Sequence, residues 1–395
     1  MCIFNKFKSA VKVYFSLSAA IFSCFSYSQD NQIPKINVSG IVKLDVIYDI
    51  SSPNGDRINY TSIATPSPDE PQMRLHARES RLKIKASDGI LGKEYIAIVE
   101  GDFYGGGTNS PTNSENISNS SSFRLRHAYL LYGSWLFGQT WSNYVDVKSF
   151  PETLDFSNDT GQAFIRQAQI RYQHKLDNFL ISYSLENPET DIFIPEQYSN
   201  VQTIDPLFDF TTRVKYQPTW GHLSFQFVTR KHKIYSLSQQ AEGTGYGFGA
   251  SGRVQLSSEG LAKFHFSQGK GIGRYIQEVS GSAGIVLNSM ENPEDKDAML
   301  LLKAKGGYFS YQHTFNKTLR ANLSTGFVDI NYPSYLPQNS LTNNTQKLIS
   351  LHTNAIWSIS SRVELGIEYA KVKLKTVSGE RSHLKRLQLS TKVRF

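Results

Sequence analysis

Cysteine is nearly absent: the chain has two, Cys2 and Cys24, both within its first 28 residues. Everything downstream therefore excludes a disulfide-stapled scaffold, a cysteine nucleophile and a thiolate metal site. Long apolar runs are absent too, and the best, VYFSLSAAIFSCF at 13–25, is too short for a membrane-crossing helix. HExxH, GxSxG and P-loop signatures are missing. GFGASG at 247–252 formally fits a phosphate-binding glycine pattern, but it sits in an alternating strand with no helix behind it. Small residues facing inward explain it better. The formal charge is +8, yet no Lys/Arg run exists and the charges recur at strand spacing, which argues against a nucleic-acid partner. The nine histidines are dispersed; His127 and His313 fall at outward parity near strand ends, a place for packing rather than catalysis.

What is present begins with a leader. Lys6, Lys8 and Lys12, without an acid, precede the apolar run, and small residues around Ser26 and Ser28 follow it. This is the order of a secretory signal peptide, with cleavage expected after Ser28. Residues 1–28 are then signal and 29–395 the mature chain, and the charge falls to +5. A retained anchor is the alternative. Lipoprotein processing at Cys24 is disfavoured by the Ile-Phe-Ser before it.

Beyond the leader one pattern recurs. In KINVSGIVKLDVIYDI, residues 35–50, Ile36, Val38, Val42, Leu44, Val46 and Tyr48 share one parity; Asn37, Ser39, Lys43, Asp45 and Asp49 share the other. Successive strand side chains point to opposite faces, so such a segment is a strand with one apolar and one polar side. EYIAIVEGDF, FLISYSLE, LAKFHFSQ and VELGIEYA repeat it. Short turns (87–93, 132–134, 175–178, 217–221, 257–260, 316–318, 359–362) alternate with long polar stretches (51–71, 105–122, 142–162, 187–207, 231–244, 268–297, 330–346, 376–382). Seven turns and eight loops separate 16 strands. The fold class is all-β: a transmembrane antiparallel up-and-down β-barrel, with short periplasmic turns and long extracellular loops.

Aromatic residues cluster near strand ends at the apolar parity: Tyr48, Tyr95, Phe103, Phe123, Trp135, Phe179, Phe225, Phe227, Phe315 and Phe395. Girdles at both membrane interfaces account for them. In FRLRHAYLLYGSWLFGQTW, residues 123–141, the same parity sends Phe123, Leu125, Tyr129 and Leu131 to lipid and turns the chain at Gly133-Ser134.

The opposite parity supplies the interior. It assigns Arg81, Lys83, Lys85, Arg124, Arg126, Arg171, Arg213, Lys215, Arg320, Lys392 and Arg394, with Glu100, Asp102 and Glu186 among the acids. A barrel this wide keeps a water-filled lumen, where such groups stay ionised. Two readings follow: an excess of Arg and Lys favours anions, or the charges pair and set no preference.

The final segment RLQLSTKVRF, ending on Phe395, resembles the terminal strand of bacterial outer-membrane barrels, which implies recognition by the barrel-assembly machinery and an outer-membrane location. A closer likeness lies in FRLRHAYLLYGSWLFGQTWSNYVDVKSFPETLDF (123–156) with RQAQIRYQ (166–173) and LENP (185–188). ARESRLKI (77–84), EGDFYGG (100–106), GGYFSYQHTF (306–315) and LRANLSTG (319–326) extend it. These segments resemble the DcaP-like trimeric porins of proteobacterial outer membranes. The resemblance implies a homotrimeric channel without cofactor, passing small dicarboxylates and other anions. The better-known relatives carry an N-terminal periplasmic coiled coil, whereas here the first strand opens at residue 35, so trimerisation would rest on barrel packing. In sixteen-stranded porins the third loop folds inward. By that likeness 142–161 is the candidate constriction loop, with Asp146, Lys148, Glu152 and Asp155 opposite Arg124, Arg126 and Arg171. A loop capping the outer surface is the other possibility. The competing functional class is a closed barrel that uses its long loops, especially 268–297, as an adhesin or receptor.

Overall fold

The alternating segments become sixteen antiparallel strands that close on themselves. A computed structural model describes residues 34–52, 54–64, 70–105, 121–236, 239–287, 298–336 and 341–395. The expected signal peptide, with Cys2, Cys24 and the cleavage point, lies outside them. In chain order the strands are β1 (Lys35–Ser51), β2 in two pieces (Gln72–His76 and Arg81–Ile90), β3 (Lys93–Gly105) and β4 (Ser122–Tyr132). Then come β5 (Trp135–Trp141), β6 (Arg166–Leu176), β7 (Phe179–Glu186) and β8, again in two pieces (Gln202–Ile204 and Asp209–Tyr216). The second half comprises β9 (Gly221–Ser236), β10 (Gln239–Gln255), β11 (Gly260–Lys270) and β12 (Lys303–Thr314). It ends with β13 (Leu319–Asn331), β14 (Thr345–Ser358), β15 (Val363–Thr376) and β16 (Arg381–Arg394). Each strand pairs with its sequence neighbours, and β1 closes on β16 from Ile41↔Arg394 to Ser51↔Lys385. Closure leaves no open sheet edge, the requirement for strands crossing lipid.

Two corrections concern strands. The stretch 231–244, expected as a loop, is mostly sheet: β9 and β10 pair out to Ser236↔Gln239. In β4 the register shifts so that both Arg126 and His127 lie opposite Glu100 before Leu125 meets Gly101. One extra residue in a strand reverses the parity beyond it. His127 is therefore buried inside, 2.9 Å from the Thr140 hydroxyl, and not at the lipid face. Leu130 takes the outward place expected for Tyr129 and Leu131, opposite outward Phe137.

The largest correction concerns the interior. Nearer the turns the pattern holds: Val42, Phe225, Phe309, Leu351 and Ile367 point outward. On the loop side it inverts. Ile234, Ala304, Ile330, Leu348, Val372 and Leu374 point inward and are buried. Their lysine neighbours Lys233, Lys303, Lys305, Lys347, Lys373 and Lys375 take the outer face. Most of the inward residues join a core with Ile58, Tyr60 and Ile63 of the first loop, Tyr144 and Val145 of the third, and Ile272, Tyr275, Ile276 and Val279 of the sixth. Burying each such side chain contributes about 1.5–3 kcal/mol, enough together to hold loops in the lumen. A uniformly polar, water-filled interior does not describe this half. The small residues of β10 fit here as expected: a Cβ on Gly247 would stand 2.4 Å from Ile272 Cδ1.

Candidate channel lining

The segment 142–165 leaves β5 and runs through the lumen, tied to wall strands on the far side. Asp146 Oδ1 accepts from Lys215 Nζ at 3.0 Å; its Oδ2 accepts from Ser251 Oγ and lies 2.6 Å from His222 Nε2. Ser149 and Tyr308 share a 2.9 Å hydroxyl contact. Glu152 takes two bonds from Arg320, at 2.8 and 2.6 Å, and a third from Gln312. The N–H groups of Leu154 and Asp155 donate to the Glu368 carboxylate. Asp155 accepts from Arg386 at 2.9 Å, and Arg386 also donates to Asp49 at 2.7 and 3.0 Å. Burial alone would raise the Asp146 and Glu152 carboxyls; the bond from His222 with the Lys215 charge, and the bonds from Arg320, hold both below the usual carboxylate range. Each of these loop acids is paired with a cation of the far wall.

On the near side the loop faces β2–β6. Arg124 grips Asp102 with two bonds, 2.9 and 2.7 Å. Arg126, brought inward beside His127, bridges Asp102 at 2.6 Å and Glu100 at 3.1 Å. Arg81 lies 3.2 Å from Glu79. Arg57 and Arg166 have no hydrogen bond or ion pair among the described residues. Arg166 stacks over Trp141 at 4.4 Å and Phe164 at 5.4 Å; Arg57 lies 5.8 Å from the Phe156 ring. Such cation–π contacts hold a guanidinium in place without cancelling its charge.

Two cavities open between loop and wall. One, about 400 Å³, is lined by Arg57, Arg124, Arg166, Arg274, Phe156, Phe164 and Glu278 among others. The second, about 310 Å³, shares Phe156 and Phe164 with it and adds Arg81, Glu100, Arg126, Phe150 and Asp155. Four arginines thus meet one acid at the first. Burial pushes the Glu278 carboxyl up to about 7, although the Gly161 N–H donates to it.

The comparisons also return an all-β outer-membrane barrel. The family model "DcaP outer membrane protein" matches residues 26–395. The chain belongs to the DcaP outer membrane protein family. Its fold is similar to that of the outer membrane channel DcaP of Acinetobacter baumannii, at TM-score 0.77 and 22% identity over 92% of this chain and 97% of that one. It is also similar to an anion-selective porin from Comamonas acidovorans (TM-score 0.58, 12% identity, 92% and 100% covered). OmpT of Vibrio cholerae follows at TM-score 0.57 and 10% identity, with 92% and 98% covered. No curated protein sequence matches.

In this DcaP-family barrel the sequence-assigned residues divide. Arg81, Arg124, Arg126, Glu100 and Asp102 gather on the near wall, and Lys83 stands on the same face without an ion pair among the described residues. Lys215 and Arg320 instead anchor the loop, and Arg213 donates to the Val145 carbonyl at 2.8 Å. Arg171 donates to Gln169 and to the Trp141 carbonyl. Arg394 and Lys392 both pair with Glu364 at 2.7 Å. Asp146, Glu152 and Asp155 form no ion pair with Arg124, Arg126 or Arg171, although Asp155 lines the same cavity as Arg126. Sequence reasoning missed Arg57, Arg166 and Arg274, which lie on loops or at a strand's first residue, where parity carries no information. It also missed Arg386, although that residue shares the inward parity of Gln388 and Ser390.

Proposed function

We propose that this DcaP-family protein is an outer-membrane porin, a water-filled channel for passive diffusion of small hydrophilic solutes that favours anions, dicarboxylates among them. One observation carries the reading: the loop acids are paired with the far wall, while among the described residues Arg57, Arg124, Arg166 and Arg274 line one cavity with a single acid, Glu278. Guanidinium groups suit carboxylates because they donate in a planar fork. Two arginines, Arg57 and Arg166, without an ion pair among the described residues and beside a low-dielectric aromatic surface, set a local field that attracts anions. The path would run along β2–β6, past Arg81, Arg124 and Arg126, with 142–161 as its constriction. No step calls for an enzyme or cofactor. The protein would work as a homotrimer, each barrel with its own channel.

Planar-bilayer recording tests this. Purified protein is expected to give stepwise conductance, with a reversal potential of anionic sign in a KCl gradient. Replacing Arg57, Arg124 and Arg166 by Ala should lower the anion-to-cation permeability ratio about five-fold or more while conductance persists. Cation selectivity in the wild type would overturn the arginine assignment. The loop-filled half of the lumen favours one competing reading, a closed barrel acting through its loops; absence of conductance would support it.

A further inference from the structure

The outer wall on the loop side carries a charge pattern that the channel does not use. Lys305 on β12 lies opposite Asp329 on β13, which lies opposite Lys347 on β14. Lys347 faces Lys375 on β15, and Lys375 faces Arg381 on β16. One outward position nearer the turns, Lys373 faces His383, and in the next Lys371 faces Lys385. Lys270 and Lys303 form another such pair beside the row. Like charges directly opposite on adjacent strands are destabilising. The one acid in this row, Asp329, reaches Lys305 and Lys347 only at 3.9 and 3.7 Å, and both lysine side chains are more than half exposed (53% and 56%). Lys347, Lys375 and Arg381 follow one another without an acid between them.

Below the row, toward the turns, the outer wall becomes apolar and exposed through Phe248, Phe309, Phe327 and Ile349. A groove of about 660 Å³ joins the two zones, lined by Tyr246, Phe248, Lys303, Lys305 and Lys347 among others. The turn-side ends of β12–β14 present Tyr311, His313, Phe315 and Trp357 outward instead of lysines. Among the outward side chains of β12–β16 themselves, the cations lie toward the loops.

We infer that this row is a docking surface for lipids with phosphorylated headgroups, specifically the phosphoglycolipid of the outer leaflet. Its phosphates would sit on Lys305, Lys347, Lys375 and Arg381, and its acyl chains on the Phe and Ile surface beneath. Charge complementarity selects the headgroup: each cation at an anionic lipid surface strengthens association about five-fold. The continuous apolar surface below selects a lipid over a soluble polyanion, which would leave it uncovered.

The test uses the full-length protein in non-ionic detergent, titrated with bisphosphorylated lipid A and with its dephosphorylated form, and read by native mass spectrometry. The wild type should retain the phosphorylated lipid at least about ten-fold better. Lys305→Gln with Lys347→Gln and Lys375→Gln should lose that preference, while Asp329→Asn, which removes the acid, should strengthen retention. Single-channel conductance of both variants should match the wild type, showing an intact barrel, because these side chains lie outside the lumen. Equal retention of the two lipids, or an unchanged triple variant, would overturn the inference. Displacement of the lipid by inorganic phosphate alone would do the same, by showing a free-anion site.

Discussion

Glu278 is the residue whose charge the arginine-lined cavity can least ignore. Its carboxyl is buried, accepts the Gly161 N–H at 2.9 Å, and shares its surroundings with the like-charged Asp159. With the proton held up to about 7, the group is neutral below that pH and negative above it. The folded state binds this proton more tightly than the unfolded chain, so ionising it costs stability as pH rises from the ordinary carboxylate value through 7. The same charge, once formed, opposes the arginines of the cavity. Anion preference should therefore be greater at pH 6 than at pH 8, and Glu278→Gln should hold the pH 6 value at both. Reversal potentials at the two pH values check this; an unchanged pH dependence in the variant would show that Glu278 does not set the field of that cavity.

Among elements, the third loop shows what was legible and what was not. Alternation in segments such as 35–50 and 363–370 disclosed strands, because a sheet between two solvents prints its period on the chain. The turn-and-loop rhythm disclosed an up-and-down order. Neither disclosed the loop's partners, since Asp155 and Arg386 are 231 residues apart and meet only through closure. Alternation also misled where its premise failed: on the loop side, "KVKLKT" keeps its period while Val372 and Leu374 turn inward and the lysines outward. A single extra residue in β4 hid His127 for a related reason, because parity counts residues and a bulge does not. For the loop itself, Arg386→Gln should leave Asp49 and Asp155 buried without their cation, at a cost of about 3–5 kcal/mol. The expected result is a lower temperature for the heat-induced gel shift and noisier open-channel current. Removing the more exposed Arg394 should change either measurement far less.

For the molecule as a whole, closure of the barrel rests on its two ends meeting. Phe395 and Gly40 exchange backbone hydrogen bonds at 3.0 and 3.2 Å, and the Phe395 ring occupies the space beside Gly40. A Cβ at Gly40 would stand 2.6 Å from that ring and 2.3 Å from the Arg81 carbonyl oxygen. Gly40→Ala should therefore reduce the fraction of heat-modifiable, folded barrel recovered from membranes, while Phe395→Ala should leave the seam passable but slow its assembly. Equal recovery of Gly40→Ala and wild type would show that the seam tolerates displacement there.

Arg386 has a consequence for the order of construction. It stands on the last strand, grips Asp49 on the first and holds Asp155 of the loop between them. One side chain thus latches both the wall and the filling. A cylinder sealed without the loop inside would leave Arg386 on Asp49 alone, with its bond to Asp155 unmade, so sealing and narrowing favour each other. For a cell whose envelope is a permeability barrier, an unfinished copy is then a ribbon still open along its side, not a finished hole of the wrong bore.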